Sequence, residues 1–584
     1  MQQQSNDMRK TLTPEALLAA AVILLASGCG GSGSGSGASA VTNGRQLYVS
    51  AAAPAGGDGS SANPFNTLAA VEQAAAAGDT IVVMAVPANS APLDGGIALK
   101  PNQKLIGQAA GTGMLAQITN RSARLNSGDA VTLAPGAEVA GLAIVKPYRG
   151  GIYGLDVPGV SIHDNDVSGH NTSCNLGFII PTDVIPTNIP HLTVPFPVPL
   201  PNGWAGIMVD ADQGSGSISI QNNTVHDAPC ADGIDVRLKG SAVYQADIGG
   251  NTVFNLKQGP ILNGFLSVLA IGMQTRDTSK LTATLDNNTE HDIGSNNFTP
   301  EEADSEGVFA NVVNASTITA EVDNNNFYHG IGGFSANGME MPVMGQGGTA
   351  IMHISNSSFT DVPGDVLEVL ALGTDGNLQL TLDNVTASRA TGGAPLEVLA
   401  GLVASTNVGD CLSVNSSGSG NAMTLTMTGS TLSNCYHNGV TFASNTASGA
   451  PPGKLISFDI ENSHISANQG YGLHLLNLAP LTQLTGKVAN TSFSGNRDIN
   501  IGFDNQGGSA GTVELDFGGG SQNSPGGNCI VGGGKGGVSS NGYDASLKNN
   551  WWGNPAGPTA AMASAQHATL DDAPALSAAP SACQ

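Results

Sequence analysis

The sequence predicts an all-β chain wound into one solenoid of short strands, and three observations carry that prediction. The first is period-two alternation in short runs. In Ser217–Gly240, SISIQNNTVHDAPCADGIDVRLKG, Ile218 and Ile220 alternate with serines as in a half-buried strand, and Gly233–Arg237 opens another. The second is recurrence. The strand-then-Asn phrase returns as LTATLDNNTEHD (281–292), ITAEVDNNNFYHG (318–330), IMHISNSSFTDV (351–362), LQLTLDNVTAS (378–388), ISFDIENSHISAN (456–468) and LTGKVANTSFSGN (484–496). Its Asn positions lie 28 residues apart from 223 to 251, from 356 to 384 and from 462 to 490, and 37 apart from 251 to 288. A period of a few tens of residues marks a repeat architecture, and uneven spacing marks loops inserted into some turns. The third is composition: 79 glycines, 11% charged residues against about 25% in ordinary soluble domains, and 40% hydrophobic residues. That suits a Val/Ile/Leu/Ala core with bends made by Gly and Asn, which tolerate left-handed backbone angles.

The elements follow in chain order. Arg9 and Lys10 precede an apolar run from Ala16 to Ala26, the length of a signal-peptide core and too short to span a bilayer. It ends Ala26-Ser27-Gly28-Cys29, which resembles a bacterial lipobox with Ala in place of the usual Leu. The resemblance implies a lipoprotein-type signal peptide over 1–28, lipidation of Cys29 and a site at the outer membrane or cell surface. An ordinary secretory signal leading to a secreted protein is the alternative. The Gly/Ser-rich stretch 29–45 reads as a flexible tether. Asn66 or Thr67 can cap a short helix with Leu68, Val71 and Ala75 on one face and Gly78 at its end; it would cover the open end of the coil. Turns then continue to about residue 558. At 181–201 seven prolines in 21 residues interrupt them; proline cannot donate to a strand ladder, so this is a looped-out extended segment, with Phe196 and Trp204 as a candidate groove rim. Asn549–Pro558, NNWWGNPAGP, would plug the far end with its tryptophans. Residues 559–584 read as an irregular tail tied back by Cys583.

The repeats resemble those of the right-handed parallel β-helix proteins of the pectate-lyase-like superfamily over roughly Leu47 to Pro558. The fold expected is therefore a single-stranded right-handed parallel β-helix over 46–558, with an N-terminal capping helix and long loop insertions. Such a fold hosts many functions. Apart from Cys29 there are six cysteines, Cys174, Cys230, Cys411, Cys435, Cys529 and Cys583. They allow 15 connectivities; a solenoid favours nearest-neighbour pairing, because only adjacent turns meet.

Net charge is −25 with only 20 Lys plus Arg. Nothing basic is available to neutralise phosphates, so nucleic acid is not expected as a partner. A polyanionic glycan would be repelled unless a divalent cation bridged it. Aligning the strands that follow the loops puts Met208, Asp235, Glu340, Glu368, Thr441 and His474 in one outward column, with turns about 4.8 Å apart. Glu340 and Glu368 would stack on neighbouring turns. Asp210 would face Arg237, and Asp212 would face Lys239, as surface ion pairs. Polysaccharide lyases of the resembled superfamily place acidic calcium ligands and a Lys or Arg base on such a face. That resemblance implies Asp235, Arg237, Lys239, Glu340 and Glu368 as candidate catalytic residues, with Asp235, Glu340 and Glu368 as candidate calcium ligands. The consecutive Asp-Asp calcium cluster, the full polygalacturonase set and the Asp-Pro-His-Asp motif of alginate epimerases are missing. The leading expectation is therefore a surface module that binds or adheres to glycan or cell-envelope material. The alternatives are a calcium-dependent polysaccharide lyase or related carbohydrate-active enzyme, and a structural spacer.

Overall fold

A computed structural model describes residues 44–109, 111–121, 128–180, 200–258, 267–294, 304–332, 335–392, 409–416, 418–444, 455–478, 480–507 and 511–583. The expected signal peptide, Cys29 and the tether up to residue 43 lie outside the described residues, as do Pro181–Pro199 with Phe196.

The chain is a parallel β-helix. Most turns contribute a strand to each of three sheets, and almost every pairing is parallel and joins one turn to the next. A long-strand sheet runs from Gln46–Val49 to Leu570–Asp571, a short-strand sheet from Gln117–Ile118 to Cys529–Val531, and a third sheet from Ile97–Ala98 to Ala563–Gln566. The core is a set of columns. Ile220, Ile248, Leu285, Val322 and Ile354 pair in register down the long-strand sheet, and none is more than 1% exposed. Alternation in each strand therefore does what the sequence predicts: one residue set fills the lumen and the other faces out.

The Asn bends have a double role. Asn222, Asn287, Asn324, Asn356, Asn384, Asn462 and Asn490 hold left-handed backbone angles, φ 48–57°, which turn the chain from the first sheet to the second. The next residue forms a buried amide ladder. The side-chain nitrogen of Asn165 donates to the Asn223 oxygen at 3.0 Å, Asn223 to Asn251 at 3.1 Å, and Asn251 to Asn288 at 3.0 Å. The same oxygens accept the backbone N–H of the preceding turn's Asn, and the nitrogens also donate to strand carbonyls such as Ile162 and Ile220. Every polar atom of these side chains is thus used, which is what a buried amide requires. From Ser357 onward the ladder passes to hydroxyls: Asn325 donates its N–H to Ser357, Val385 to Ser430, and Ser430 to Ser463.

At the N-terminal end Leu68–Ala74 is helical, with the Thr67 hydroxyl accepting the Ala70 N–H at 3.2 Å and Leu68 and Val71 buried. It stops at Ala75, short of Gly78. At the other end Trp552 enters the core, but the coil does not stop there. Ala563–Gln566 and Leu570–Asp571 pair in parallel with the preceding turn, so the stretch read as an irregular tail adds strands of its own. Cys583 ties it back to Cys529. The other disulfides join Cys174 to Cys230 and Cys411 to Cys435, with Cα atoms 5.2–5.6 Å apart in all three. The flanks of the Pro-rich insertion, Leu176–Ile180 and Leu200–Gly203, pair antiparallel.

Candidate functional site

The outward face of the third sheet carries the predicted column, and its register is as expected: Met208 faces Asp235, Glu340 faces Glu368, and Thr441 faces His474. Gly272 and Phe309 fill the two turns between Asp235 and Glu340. Asp235 is therefore three strand spacings, about 14 Å, from Glu340.

The column divides the candidate residues. Glu340 is half-buried, and Glu368 is buried with its Oε2 accepting the Asn337 side-chain N–H at 3.0 Å. Lys239 stands apart: its side chain is 60% exposed and its ammonium lies 3.2 Å from Asp212, the expected surface pair. Arg237 forks onto Asp210, at 2.7 Å through Nε and 2.6 Å through Nη2, and its Nη1 donates to the Gly177 carbonyl at 2.6 Å. The Asp210 charge holds the guanidinium cationic against the opposing effect of burial. Calcium bonds span only about 2.3–2.6 Å, so no single ion can touch both Asp235 and the Glu340/Glu368 pair. Among the described residues no three His, Cys, Asp or Glu side chains are arranged to hold a metal ion. The donor set expected for calcium does not fit one ion.

The residues that do converge surround Asp235. It is fully buried, and its carboxyl leans over Gly272, where a Cβ would strike Oδ1; a glycine on that turn makes the space. Asp232, three residues upstream, is also fully buried. Its Oδ1 accepts the Leu269 N–H at 2.9 Å. Neither Asp235 oxygen, nor Oδ2 of Asp232, is reached by an N–H or hydroxyl donor. A proton shared between the two carboxyls is what remains to satisfy them. Burial raises the Asp235 pKa to about 7, with the nearby Asp210 charge adding to the rise and Arg237 opposing it. Burial, then repulsion from Asp235, lifts Asp232 well above the usual carboxylate range. Two carboxyls that cannot both ionise form an acid–base dyad.

A braced aromatic wall stands beside them. Arg149 is held by Asp129, with Nε at 2.9 Å from Oδ1, and lies flat over the Trp204 ring at 3.7 Å from its centroid; Arg237 is 5.8 Å from the same ring. Tyr153 packs on Trp204 with centroids 5.2 Å apart, and its hydroxyl donates to Asp210 at 3.4 Å. Burial and the Asp210 charge push that phenol up to about 12, so it stays protonated. His170 donates through Nε2 to the Asp232 carbonyl at 2.8 Å, and burial lowers its pKa to about 4, so it is neutral.

Asp232, Asp129, Arg149, Tyr153 and His170 are site residues that the sequence reading did not single out. Asp232 carried a signal, since it sits within the same ADGIDVRLK run as Asp235. Two further groupings also went unread. His226, Phe254, His291 and Tyr328 stack on successive turns with centroids 4.8–5.1 Å apart; their faces cover one another, so the stack offers solvent mainly ring edges. Glu290 points into the lumen between Val253 and Phe327, where burial raises its pKa to about 8.

No family model and no curated protein matches the chain. Among solved structures, the chain is similar to the pectate lyase Pel9A at 13% identity, over 65% of this chain and 73% of that one, with a TM-score of 0.21. It is similar to the periplasmic alginate epimerase AlgG at 10% identity, over 70% and 84%, TM-score 0.21, and to a rhamnogalacturonan lyase at 11% identity, over 81% of each, TM-score 0.21. Overlap this loose says nothing about activity; the β-helix rests on the register of its own strands.

Proposed function

We propose that this chain is a carbohydrate-active β-helix that works on a glycan chain by acid–base chemistry at the Asp232/Asp235 dyad. One observation carries the reading: two neighbouring buried carboxyls, three of whose four oxygens meet no N–H or hydroxyl donor, beside a guanidinium-braced tryptophan on the outward face of the third sheet. Buried carboxyls of this kind cost stability and add nothing to the coil's regularity, so a chemical use accounts for them. Asp235, still partly protonated near neutral pH, is the acid that gives a proton to a glycosidic oxygen. The attacking water comes from the opposite face of the sugar, beyond the reach of a carboxyl this close to the acid, and gives its proton to solvent, from which the dyad is reprotonated. Elimination as in a lyase is less well supported. Arg237 is locked on Asp210 and stays charged, and Lys239, just past the end of the same strand, faces solvent and pairs with Asp212, so neither is a free base. Three disulfides fit an oxidising compartment, in line with export and with lipid anchoring through Cys29.

The second reading is glycan binding or adhesion without turnover. It is favoured by the complete burial of Asp235, which keeps a ligand off the dyad unless the covering chain moves. Incubating the purified chain with neutral glucans and with uronic-acid polymers separates the readings. Hydrolysis releases reducing ends, elimination creates an ultraviolet-absorbing double bond, and binding alone yields neither. Release of reducing ends that disappears in both Asp235→Asn and Asp232→Asn supports the dyad. Unchanged release in either variant refutes it.

A further inference from the structure

A second place on the coil answers to sugar chemistry, far from the dyad. An open groove of about 590 Å³ lies where the chain leaves the short-strand sheet, lined by Arg389, Thr391, Asn434, Tyr436, Gln469 and Arg497 among others. These side chains come from four successive turns, at or just beyond Thr386–Ala390, Thr431–Ser433, His464–Ser466 and Ser492–Ser494. The groove therefore runs along the solenoid axis for about three strand spacings, roughly 14 Å.

Two of its residues are unusual for this molecule. Tyr436 is 59% exposed, the highest among its exposed large apolar side chains, yet its ring is not loose. It lies against Gly392, where a Cβ would collide with the ring; that glycine has φ 74°. A ring seated on backbone presents apolar area to the C–H face of a sugar with little ordering cost on binding. Arg497 donates through Nη1 to the Gln469 side-chain oxygen at 3.4 Å, and no carboxylate pairs with it among the described residues. In a chain with 45 acidic and 20 basic side chains, that leaves a guanidinium ready for an external carboxylate, which it can hold through two parallel bonds. Arg389 adds a second positive group at the other end of the groove, forked on Asp361 at 2.5 Å and half-exposed.

We propose that this groove binds a uronic-acid unit of an acidic polysaccharide, with Tyr436 under the sugar ring and Arg497 on its carboxylate. Asn434 and Gln469 face the hydroxyls. The proposal rests on the reading of a glycan as the ligand, and it supplies the local cation that a negatively charged coil needs to hold an acidic polymer. The groove lies six register steps from Asp235, through Gly272, Phe309, Glu340, Glu368, Ser413 and Thr441, or about 29 Å along the axis. A polymer held here runs parallel to the column that carries the dyad.

Calorimetric titration of the full chain with oligogalacturonate, and with the same oligomer after reduction of its carboxylates to alcohols, tests this at low and high salt. The acidic oligomer should bind the parent more tightly, and salt should weaken it. Tyr436→Ala should weaken both oligomers by about tenfold or more. Arg497→Gln should abolish the preference for the acidic oligomer and its salt dependence, whereas Arg497→Lys should keep part of both. Asp235→Asn should bind like the parent, so loss of turnover in that variant with intact binding separates the two sites. Equal binding of the two oligomers by the parent, no binding of either, or parent-like binding by Tyr436→Ala and Arg497→Gln would each overturn the groove while leaving the dyad untouched.

Discussion

Two buried polar groupings sit in this coil, a ladder that crosses many turns and a carboxyl pair within one, and they behave in opposite ways. The Asn165–Asn325 ladder is neutral, and each amide both donates and accepts, so stacking identical side chains at one strand spacing satisfies every atom. On the third sheet Asp232 and Asp235, three residues apart within one turn, are buried together, and three of their four oxygens meet no N–H or hydroxyl donor. Buried amides are self-complementary, whereas buried acids compete for one proton. The ladder therefore serves the fold, and the dyad is a strained feature that the fold tolerates.

The largest expected effect separates the two groupings directly. Asp235→Asn should cut turnover by about 10²–10⁴-fold without lowering the thermal midpoint; a variant that unfolds early would place Asp235 with the structural ladder instead. Asn251→Leu should do the reverse. It strands the Asn223 N–H and the Ile220 carbonyl, costing about 3 kcal/mol measured by urea unfolding, while turnover per folded molecule is unchanged. A pH series sharpens the contrast further. Between pH about 4 and 7 the unfolded Asp235 is ionised and the folded one keeps its proton, so unfolding releases a proton. Stability should therefore fall as pH rises through that window, by up to about 1.4 kcal/mol per unit, and level off above it. Asp235→Asn should make the slope shallower by one group's share, Asp232 and Glu290, also raised by burial, keeping the rest, and Asn251→Leu should leave it in place. The smallest effect belongs to Lys239→Ala. Its ion pair with Asp212 is half-exposed on both sides, so stability should change by less than about 0.5 kcal/mol and turnover not at all; a large loss of turnover would restore Lys239 as a base.

What was legible in the sequence was whatever obeys period two and the turn-to-turn offset. Ile220, Leu285 and Val322 in one stack, Glu340 on Glu368, and Asp210 on Arg237 all follow from alternation plus a repeat length. The ladder's switch from Asn325 to Ser357 was hidden because the Asn seen at 356 holds the left-handed bend, one residue before the ladder position. The dyad was hidden for a related reason. At the corner where the third sheet begins, Val268, Ala270 and Ile271 all enter the main core while Leu269 packs with Phe309 in a separate cluster, so alternation fails where Asp232 sits. Arg149 and Trp204 reach the site from turns beside the Pro-rich insertion, where no repeat offset applies. Lys239 had the right spacing and the wrong depth: it follows the strand past the point where anything covers it.

The central claim is that one proton is held between Asp232 and Asp235. Infrared difference spectroscopy between the parent and Asp235→Asn, recorded at about pH 6, reads it directly. A protonated-carboxyl C=O band present in the parent and absent from the variant is the result predicted. Ionised carboxylate bands alone, with no such difference at that pH, would contradict it.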